Sequence, residues 1–89
     1  MIMTVEIKVT DIIPRILSAD VAAEELFREI NKLNDNEVIL DFIGIEFMSI
    51  SFAQEYSYQK RVSKKIITEK NLLDSDKELL SLSKNLFDS

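Results

Sequence analysis

The sequence has no cysteine and no histidine among its 89 residues. Their absence excludes disulfide bonds, thiolate nucleophiles, imidazole bases and the usual zinc ligand sets. No paired carboxylates and no glycine-rich phosphate loop take their place. We therefore predict that the chain is not an enzyme and that it binds neither a metal ion nor a cofactor.

Long apolar runs are missing as well. No apolar stretch approaches the roughly 20 residues that a membrane-spanning helix needs. The sequence reaches a charged residue at Glu6 and has no basic leader followed by an apolar segment, so it does not resemble a signal peptide. These features predict a soluble protein without membrane contact and favour the cytoplasm, although exported proteins can also lack cysteine.

Glycine and proline each occur once, as Gly44 and Pro14. Neither lies in a linker, and no repeat or low-complexity segment divides the chain. The hydrophobic share of 46% is enough for a folded core, and 89 residues are enough for one core only. The sequence therefore predicts a single domain over residues 1–89.

Positive charge is scarce and unevenly placed. The formal net charge of −5 argues against a general affinity for nucleic acid. No Lys or Arg occurs between Leu33 and Gln59. Beyond that stretch, we interpret a group of bases as the end of a helix and its exit loop, where the helix dipole favours cations, ahead of an anion or nucleic-acid site. These bases are Lys60, Arg61, Lys64, Lys65 and Lys70.

Four segments have the composition of strands. Residues 3–9 alternate and are rich in β-branched side chains, which predicts a strand with one wetter face. Residues 12–17 suit a short strand, which Pro14 would confine to a sheet edge. Residues 38–42 are apolar apart from one acid and predict a central strand covered on both faces. Residues 65–68 predict a further short strand.

Three segments have the spacing of helices. Ser18 is a good N-cap for the first helix. Ser51 has the position of the serine in a capping box, which predicts a second helix from there to about Val62. Ser75 begins another capping box before the last helix. The apolar stripes are Ala22, Ala23, Leu26, Phe27, Ile30 and Leu33 in the first helix, and Leu79, Leu80, Leu82, Leu86 and Phe87 in the last.

The predicted elements follow the order β, β, α, β, α, β, α. Residues 43–48 stay apolar without helical spacing, and we interpret them as a connection that packs its side chains under the sheet. A strand, helix, strand order implies a crossover and a parallel pairing. The predicted fold is therefore α/β, with a mainly parallel small sheet of about four strands packed with about three helices.

Residues 38–55, VILDFIGIEFMSISFAQE, resemble the central part of the STAS domains, which are named for sulfate transporters and anti-sigma factor antagonists. In that superfamily a buried strand ending in an acid leads through a Gly-apolar-x-apolar connection and a serine-bearing loop into a helix. The elements Leu-Asp-Phe and Ser-Phe-Ala are similar to those of a STAS-like family of unassigned function. The resemblance extends from about Ser18 to Phe87 and implies a STAS-like domain.

The resemblance also implies a small regulator that binds a protein through the loop and helix after the central strand. In the anti-sigma factor antagonists the partner is a serine kinase, and the loop carries a phosphorylated serine in the pattern acid-Ser-Ser-Gly-Leu. Here Ser49, Ile50 and Phe52 stand where that pattern has the acid, the phosphoacceptor and the glycine. Ser51 and Ser49 remain as candidate phosphorylation sites, and the alternative for Ser51 is a purely capping role.

A partner-binding surface is predicted around the start of the second helix. Tyr56 and Tyr58 lie two residues apart, so they point to different sides of the helix and one of them should be exposed. An exposed tyrosine beside polar groups is a common interface anchor, and just as commonly an ordinary surface residue. The predicted partner-binding residues are Ser49, Ile50, Ser51, Gln54, Glu55 and Tyr58.

Two classes of function remain. The leading hypothesis is a non-catalytic regulatory or adaptor module that binds a protein, with a kinase or ATPase implied by the resemblance and self-association as a further option. The alternative is a small-ligand or nucleotide-binding domain that uses the loop after the central strand, where open α/β sheets commonly bind ligands. Asp41 lies there, and we expect it to bind backbone N–H groups rather than act as a base or metal ligand.

Overall fold

The structure, a computed structural model, describes residues 3–88, with the side chains of residues 3–84. Residues 1, 2 and 89 of the predicted domain, and the side chains of Leu86 and Phe87, lie outside the described part. Within it, the predicted α/β class with three helices and parallel strands is confirmed. The helices are α1 (Asp20–Asn31), α2 (Ile50–Val62) and α3 (Asp74–Asp88). The strands are β1 (Thr4–Lys8), β2 (Ile16–Leu17), β3 (Glu37–Asp41), β4 (Phe47–Met48) and β5 (Ile66–Lys70).

The strands form two separate sheets, so the prediction of one sheet of about four strands is wrong. One sheet is parallel with the order β1-β3-β5, and β3 is its central strand as predicted. The other is the parallel pair β2-β4. The separation begins after β1, where the backbone C=O of Val9 accepts from the N–H groups of both Ile12 and Ile13 at 3.0 Å. This 3-10 turn carries the chain out of the first sheet, and β2 begins only at Ile16.

The segment 43–48 is only partly the connection that its sequence predicts. Ile45 and Met48 are buried, but Ile43 and Phe47 are exposed, and the segment ends in β4. Gly44 has a φ of 86°, in a turn closed by the Ile45 N–H donating to the C=O of Phe42 at 3.2 Å. A positive φ favours glycine because it has no Cβ. The turn redirects the chain from β3 to a position beside β2.

Only one face of the three-stranded sheet is buried, so the prediction that both faces of the central strand are covered is wrong. Along β3, Val38 and Leu40 are fully buried, whereas Ile39 on the other face is only partly buried. On that open face Lys70 Nζ lies 3.3 Å from both carboxylate oxygens of Glu6. This ion pair joins the two edge strands across β3, because Glu6 lies beside Ile39 in the register.

The core lies between the buried sheet face and the helices. From α1 it includes Leu26, Phe27 and Ile30, as the predicted stripe requires. Full burial of an aliphatic or aromatic side chain of this size contributes roughly 1.5 to 3 kcal/mol. The remaining buried members are Val9, Ile13, Leu17, Ala23, Val38, Leu40, Phe42, Ile45, Met48, Phe52, Ala53, Tyr56 and Ile67.

The starts of α1 and α3 differ from the predicted caps. Helix α1 begins at Asp20 after Ala19, so Ser18 does not cap it. Helix α3 begins at Asp74, which places Ser75 inside its first turn. Both helices thus begin with an aspartate, whose charge favours the positive end of the helix dipole.

Candidate functional site

Helix α2 starts directly from strand β4. The N–H of Ser49 donates to the C=O of Leu17 at 2.8 Å, just beyond the paired residues of β2 and β4. The Oγ of the same serine accepts from the N–H of Phe52 at 3.0 Å, which makes Ser49 the N-cap of α2. The prediction that Ser51 caps this helix is wrong. The bond to Leu17 holds Ser49 in an extended conformation at the end of β4, so the helix begins at the next residue.

The inward side of α2 belongs to the core. Phe52, Ala53 and Tyr56 are buried. The ring of Tyr56 contacts those of Phe27, Phe42 and Phe52 at centroid distances of 5.4, 5.9 and 5.9 Å. These contacts fix the rotation of α2 and thereby decide which residues face solvent.

The outward side of α2 lines a shallow groove of about 390 Å³. Four of the six predicted partner-binding residues meet there with the first residue of α1. Of the other two, Ile50 is exposed at the start of α2, and Ser49 is half-buried in its capping role. The groove residues are Ser51, Gln54, Glu55 and Tyr58, together with Asp20.

A set of exposed apolar side chains at β2, β4 and the start of α2, which we call the apolar patch, is not predicted by the sequence. Ile16 and Phe47 lie opposite each other in the β2-β4 pair and are 54% and 52% exposed. Ile50, directly before Ser51 in α2, is 48% exposed. Two-residue strands are too short to show the alternation that would reveal which side faces solvent. We call the groove and this patch together the β4-α2 surface.

The charged groups around the β4-α2 surface are mostly acidic. Asp20 and Glu55 line the groove, and the exposed Glu46 precedes Phe47. Arg15 adds a positive charge beside Ile16, and its C=O accepts from the N–H of Glu46 at 3.0 Å. With three carboxylates and one guanidinium, these four residues carry a net charge of −2.

Asp41 joins the ends of β3 and β5, as expected of an acid that binds backbone N–H groups. Its Oδ1 accepts from Asn71 Nδ2 at 2.8 Å and from the N–H of Ile43 at 3.0 Å. The hydrogen bond from Asn71, followed by that from Ile43, lowers the pKa of Asp41 below its ordinary value. Residues 42–46 line neither this groove nor the cavity between α2 and α3. Ligand binding at this loop therefore stays a prediction.

The basic cluster of the sequence is dispersed in the structure. Lys65 Nζ donates to the C=O groups of Leu33 and Asp35 at 2.6 and 2.7 Å, and Lys70 pairs with Glu6. Lys60 and Arg61 lie in the last turn of α2. Four of its five members thus lie in three separate places.

A second cavity, of about 480 Å³, lies between α2 and α3 beside β5, and we call it the α2-α3 cleft. In its wall Tyr56 Oη donates to Glu69 Oε2 at 2.6 Å, and Lys60 Nζ donates to the two carboxylate oxygens at 2.9 and 3.2 Å. Burial raises the pKa of Tyr56 well above its ordinary value, and the charge of Glu69 and the hydrogen bond to it act in the same direction. The sequence gives no signal for this network, since its members lie on separate elements.

No group of three acidic side chains that could hold a metal ion occurs among the described residues. Within the same part of the chain, none of the helices combines the length and apolar character required to cross a bilayer.

No protein-family model matches the sequence, and no curated protein or solved structure is significantly similar to it. The resemblance of residues 38–55 to STAS domains therefore stays a prediction.

Proposed function

We propose that the chain is a non-catalytic regulatory or adaptor module that binds a protein partner through the β4-α2 surface. The observation that carries the proposal is the exposed apolar patch of Ile16, Phe47 and Ile50 beside a polar groove. Protein interfaces commonly combine buried apolar or aromatic anchors with a polar rim. In this proposal Phe47 and Tyr58 are the anchors.

The exposure of Ile16 and Phe47 supports this proposal because both side chains lie on the same side of a strand pair. Their neighbours Leu17 and Met48 already attach the pair to the core. The outer side chains therefore add little to folding, yet they leave adjoining apolar surface in water. Covering the exposed part of each would contribute on the order of 1 kcal/mol to binding.

The charge of the surface specifies the chemistry of the partner. The carboxylates of Asp20 and Glu55 line the groove, and the exposed Glu46 directly precedes Phe47. A complementary segment would carry apolar side chains flanked by Lys or Arg, since complementary potentials favour encounter and correct orientation. The STAS resemblance suggests a kinase or ATPase as the protein that supplies this segment.

Ser51 is the better placed of the two candidate phosphorylation sites. Its side chain is exposed in the groove, whereas Ser49 Oγ is engaged in capping α2. A phosphate at the second position of α2 would lie near the positive end of the helix dipole, which tolerates negative charge. Phosphorylation of Ser51 would therefore change docking more than folding.

The proposal can be tested by site-specific photo-crosslinking in cell extract, followed by mass spectrometry. A benzophenone amino acid at position 47 should crosslink a partner through a segment that is rich in Lys or Arg. The matched control is position 66, because Ile66 is similarly apolar and 59% exposed but lies on the open sheet face. Equal crosslinking of the same protein from both positions would contradict the proposal. A crosslink to a second copy of the chain would instead identify self-association.

Substitutions then test whether the captured partner depends on this surface. Phe47→Ser and Tyr58→Ala should each reduce its recovery, Ser51→Asp should alter it, and Ile66→Ser should leave it unchanged. All four variants should melt close to the wild-type temperature, because each replaced side chain is exposed. Unchanged recovery by Phe47→Ser, Tyr58→Ala and Ser51→Asp, with folding intact, would place the interface elsewhere.

A further inference from the structure

We propose that the α2-α3 cleft binds a small phosphate monoester with a flat apolar group, about the size of a mononucleotide. The residues that line this cleft are distinct from those that line the groove of the β4-α2 surface. The inference therefore stands or fails independently of the proposed protein-binding function.

The shape of the cleft suits a small molecule. Its volume of about 480 Å³ lies within the range of small-molecule sites, which is about 300 to 1,000 Å³. Leu72 and Leu80 form apolar parts of the lining and are themselves packed against the core. Such a wall can contact a flat apolar group, because the supporting core holds it in place.

The charge of the cleft is opposite to that of the whole chain. Four basic side chains line it, against the single carboxylate of Glu69. That carboxylate already accepts from Tyr56 and Lys60. The cleft thus carries a formal charge of +3, from four positive groups and one negative, in a chain whose net charge is −5. The basic residues are Lys60, Arg61, Lys77 and Lys84.

The helix dipoles account for only half of these basic residues. Lys60 and Arg61 lie in the last turn of α2, where the dipole favours cations. Lys77 is the fourth residue of α3, near the positive end of that helix, where the dipole disfavours a cation. Its ion pair with Asp74 is 3.9 Å long and fully exposed on the carboxylate side, so it stabilises little. The position of Lys77 in the cleft is therefore better explained by an anionic ligand.

A phosphate monoester uses these donors more fully than a carboxylate would. It carries a charge of about −1.5 to −2 at neutral pH and three acceptor oxygens. Lys77 and Lys84 are separated by two turns on the same side of α3, and the hydroxyl groups of Ser57 and Ser81 also line the cleft. The cleft thus offers charged and neutral hydrogen-bond donors from both helices.

The test is an NMR titration of the full chain, with 1H–15N spectra recorded at increasing concentrations of AMP, 1-naphthyl phosphate, adenosine and inorganic phosphate. AMP or 1-naphthyl phosphate should shift the amide signals of Ser57, Lys60, Ser81 and Lys84. Adenosine and inorganic phosphate should bind about tenfold more weakly, because each lacks one half of the recognised chemistry. A response to AMP alone would identify a nucleotide site, and a response to both esters a broader one.

The absence of shifts in the cleft with both esters would overturn the proposal. Equal affinity for inorganic phosphate and the esters would also overturn it, because the apolar group would then contribute nothing.

A pair of double variants separates a built site from general charge attraction. Lys77→Gln with Lys84→Gln should weaken binding of the ester about tenfold or more. The control, Lys8→Gln with Lys64→Gln, makes the same change in net charge at exposed positions outside the cleft and should bind like wild type. Equal loss in both double variants, or unchanged affinity in the cleft variant, would refute the assignment. The dispersion of the same spectra reports that each variant is folded.

Discussion

Two tyrosines of α2, two residues apart, illustrate how differently the two sides of this helix are used. Tyr56 is fully buried, contacts three phenylalanine rings and donates to Glu69. Tyr58 is exposed and lines the groove with Ser51 and Gln54. The inward side therefore belongs to the core, whereas the outward side faces solvent. Substitutions on the two sides should separate their contributions to stability.

The largest expected effect comes from the inward stripe of α1. Leu26→Ala should lower the free energy of unfolding by about 2 to 5 kcal/mol, because it leaves a cavity in the core. Leu82→Ala, the same change at an exposed position of α3, should cost less than about 0.5 kcal/mol. Urea denaturation measures the free energy of unfolding of both variants. A loss below about 0.5 kcal/mol for Leu26→Ala would show that its side chain does not lie in the core.

Tyr56→Phe should cost about 1 to 3 kcal/mol, because the variant loses a hydrogen bond to a charged acceptor. Since the pKa of Tyr56 is raised in the folded state, its stabilising contribution is full below the ordinary value of 10.0 and is lost as the pH rises beyond it. The stability gap between wild type and variant should therefore narrow above about pH 10. Tyr58→Phe makes the same change at the exposed tyrosine of α2 and is the matched control. A gap that stays constant in urea unfolding between pH 7 and 11 would contradict the role of the hydroxyl group.

The two serines at the start of α2 should also differ in their contributions to stability, by a smaller amount. Ser49→Ala should cost about 1 kcal/mol, because it removes the side-chain cap of the helix. Ser51→Ala should cost less than about 0.5 kcal/mol, because this residue is exposed within the first turn. The melting temperatures of the two variants show which serine caps the helix. The reverse order would restore Ser51 as the cap.

The smallest effect is expected at the start of α3, where Asp74 is exposed and Asp76 is buried. Burial raises the pKa of Asp76, so ionisation of this group opposes folding once the pH exceeds its ordinary value of 3.8. Asp76→Asn should therefore be more stable than wild type at pH 7, and the difference should shrink toward pH 3. Asp74→Asn makes the same change at an exposed position of the same helical turn and is the control. The melting temperatures of the variants and of the wild type are measured from pH 3 to 7. If Asp76→Asn were less stable than the wild type at pH 7, the destabilising role of the buried Asp76 carboxylate would be contradicted.

The sequence predicts the positions of the helices and of the central strand well because each pattern extends over several residues, although the apolar run of β3 wrongly predicts that both of its faces are covered. The stripe through Leu26 and Ile30 repeats over three turns, and the apolar run of β3 can be recognised without its neighbours. Two residues show no period, so the sequence predicts a connection where β4 lies. The sequence predicts Ser51 as the cap of α2, whereas the position of Ser49 depends on a backbone hydrogen bond to Leu17, 32 positions away, that no local pattern shows.

The groove can be predicted from the sequence and the α2-α3 cleft cannot, because most of the groove residues lie on one helix. The groove follows from the rotation of one helix, so spacing along α2 identifies Ser51, Gln54, Glu55 and Tyr58 together. The α2-α3 cleft brings together two helices, Glu69 of β5 and Leu72. Their proximity depends on the packing of α3 against α2, and no pattern within a single segment records it.

The strand register also determines how folding must begin. Each described strand pair joins residues far apart in the chain: Thr4 with Glu37, Ile16 with Phe47, and Glu37 with Ile66. No described pair is a local hairpin, so closing a long loop must precede every sheet hydrogen bond. Helices can form locally within about a microsecond, whereas these pairings wait for the ends of such loops to meet. The packing of Phe27 of α1 on Tyr56 of α2 joins residues at a similar separation, so helix packing and strand pairing both require the closure of loops of about the same length.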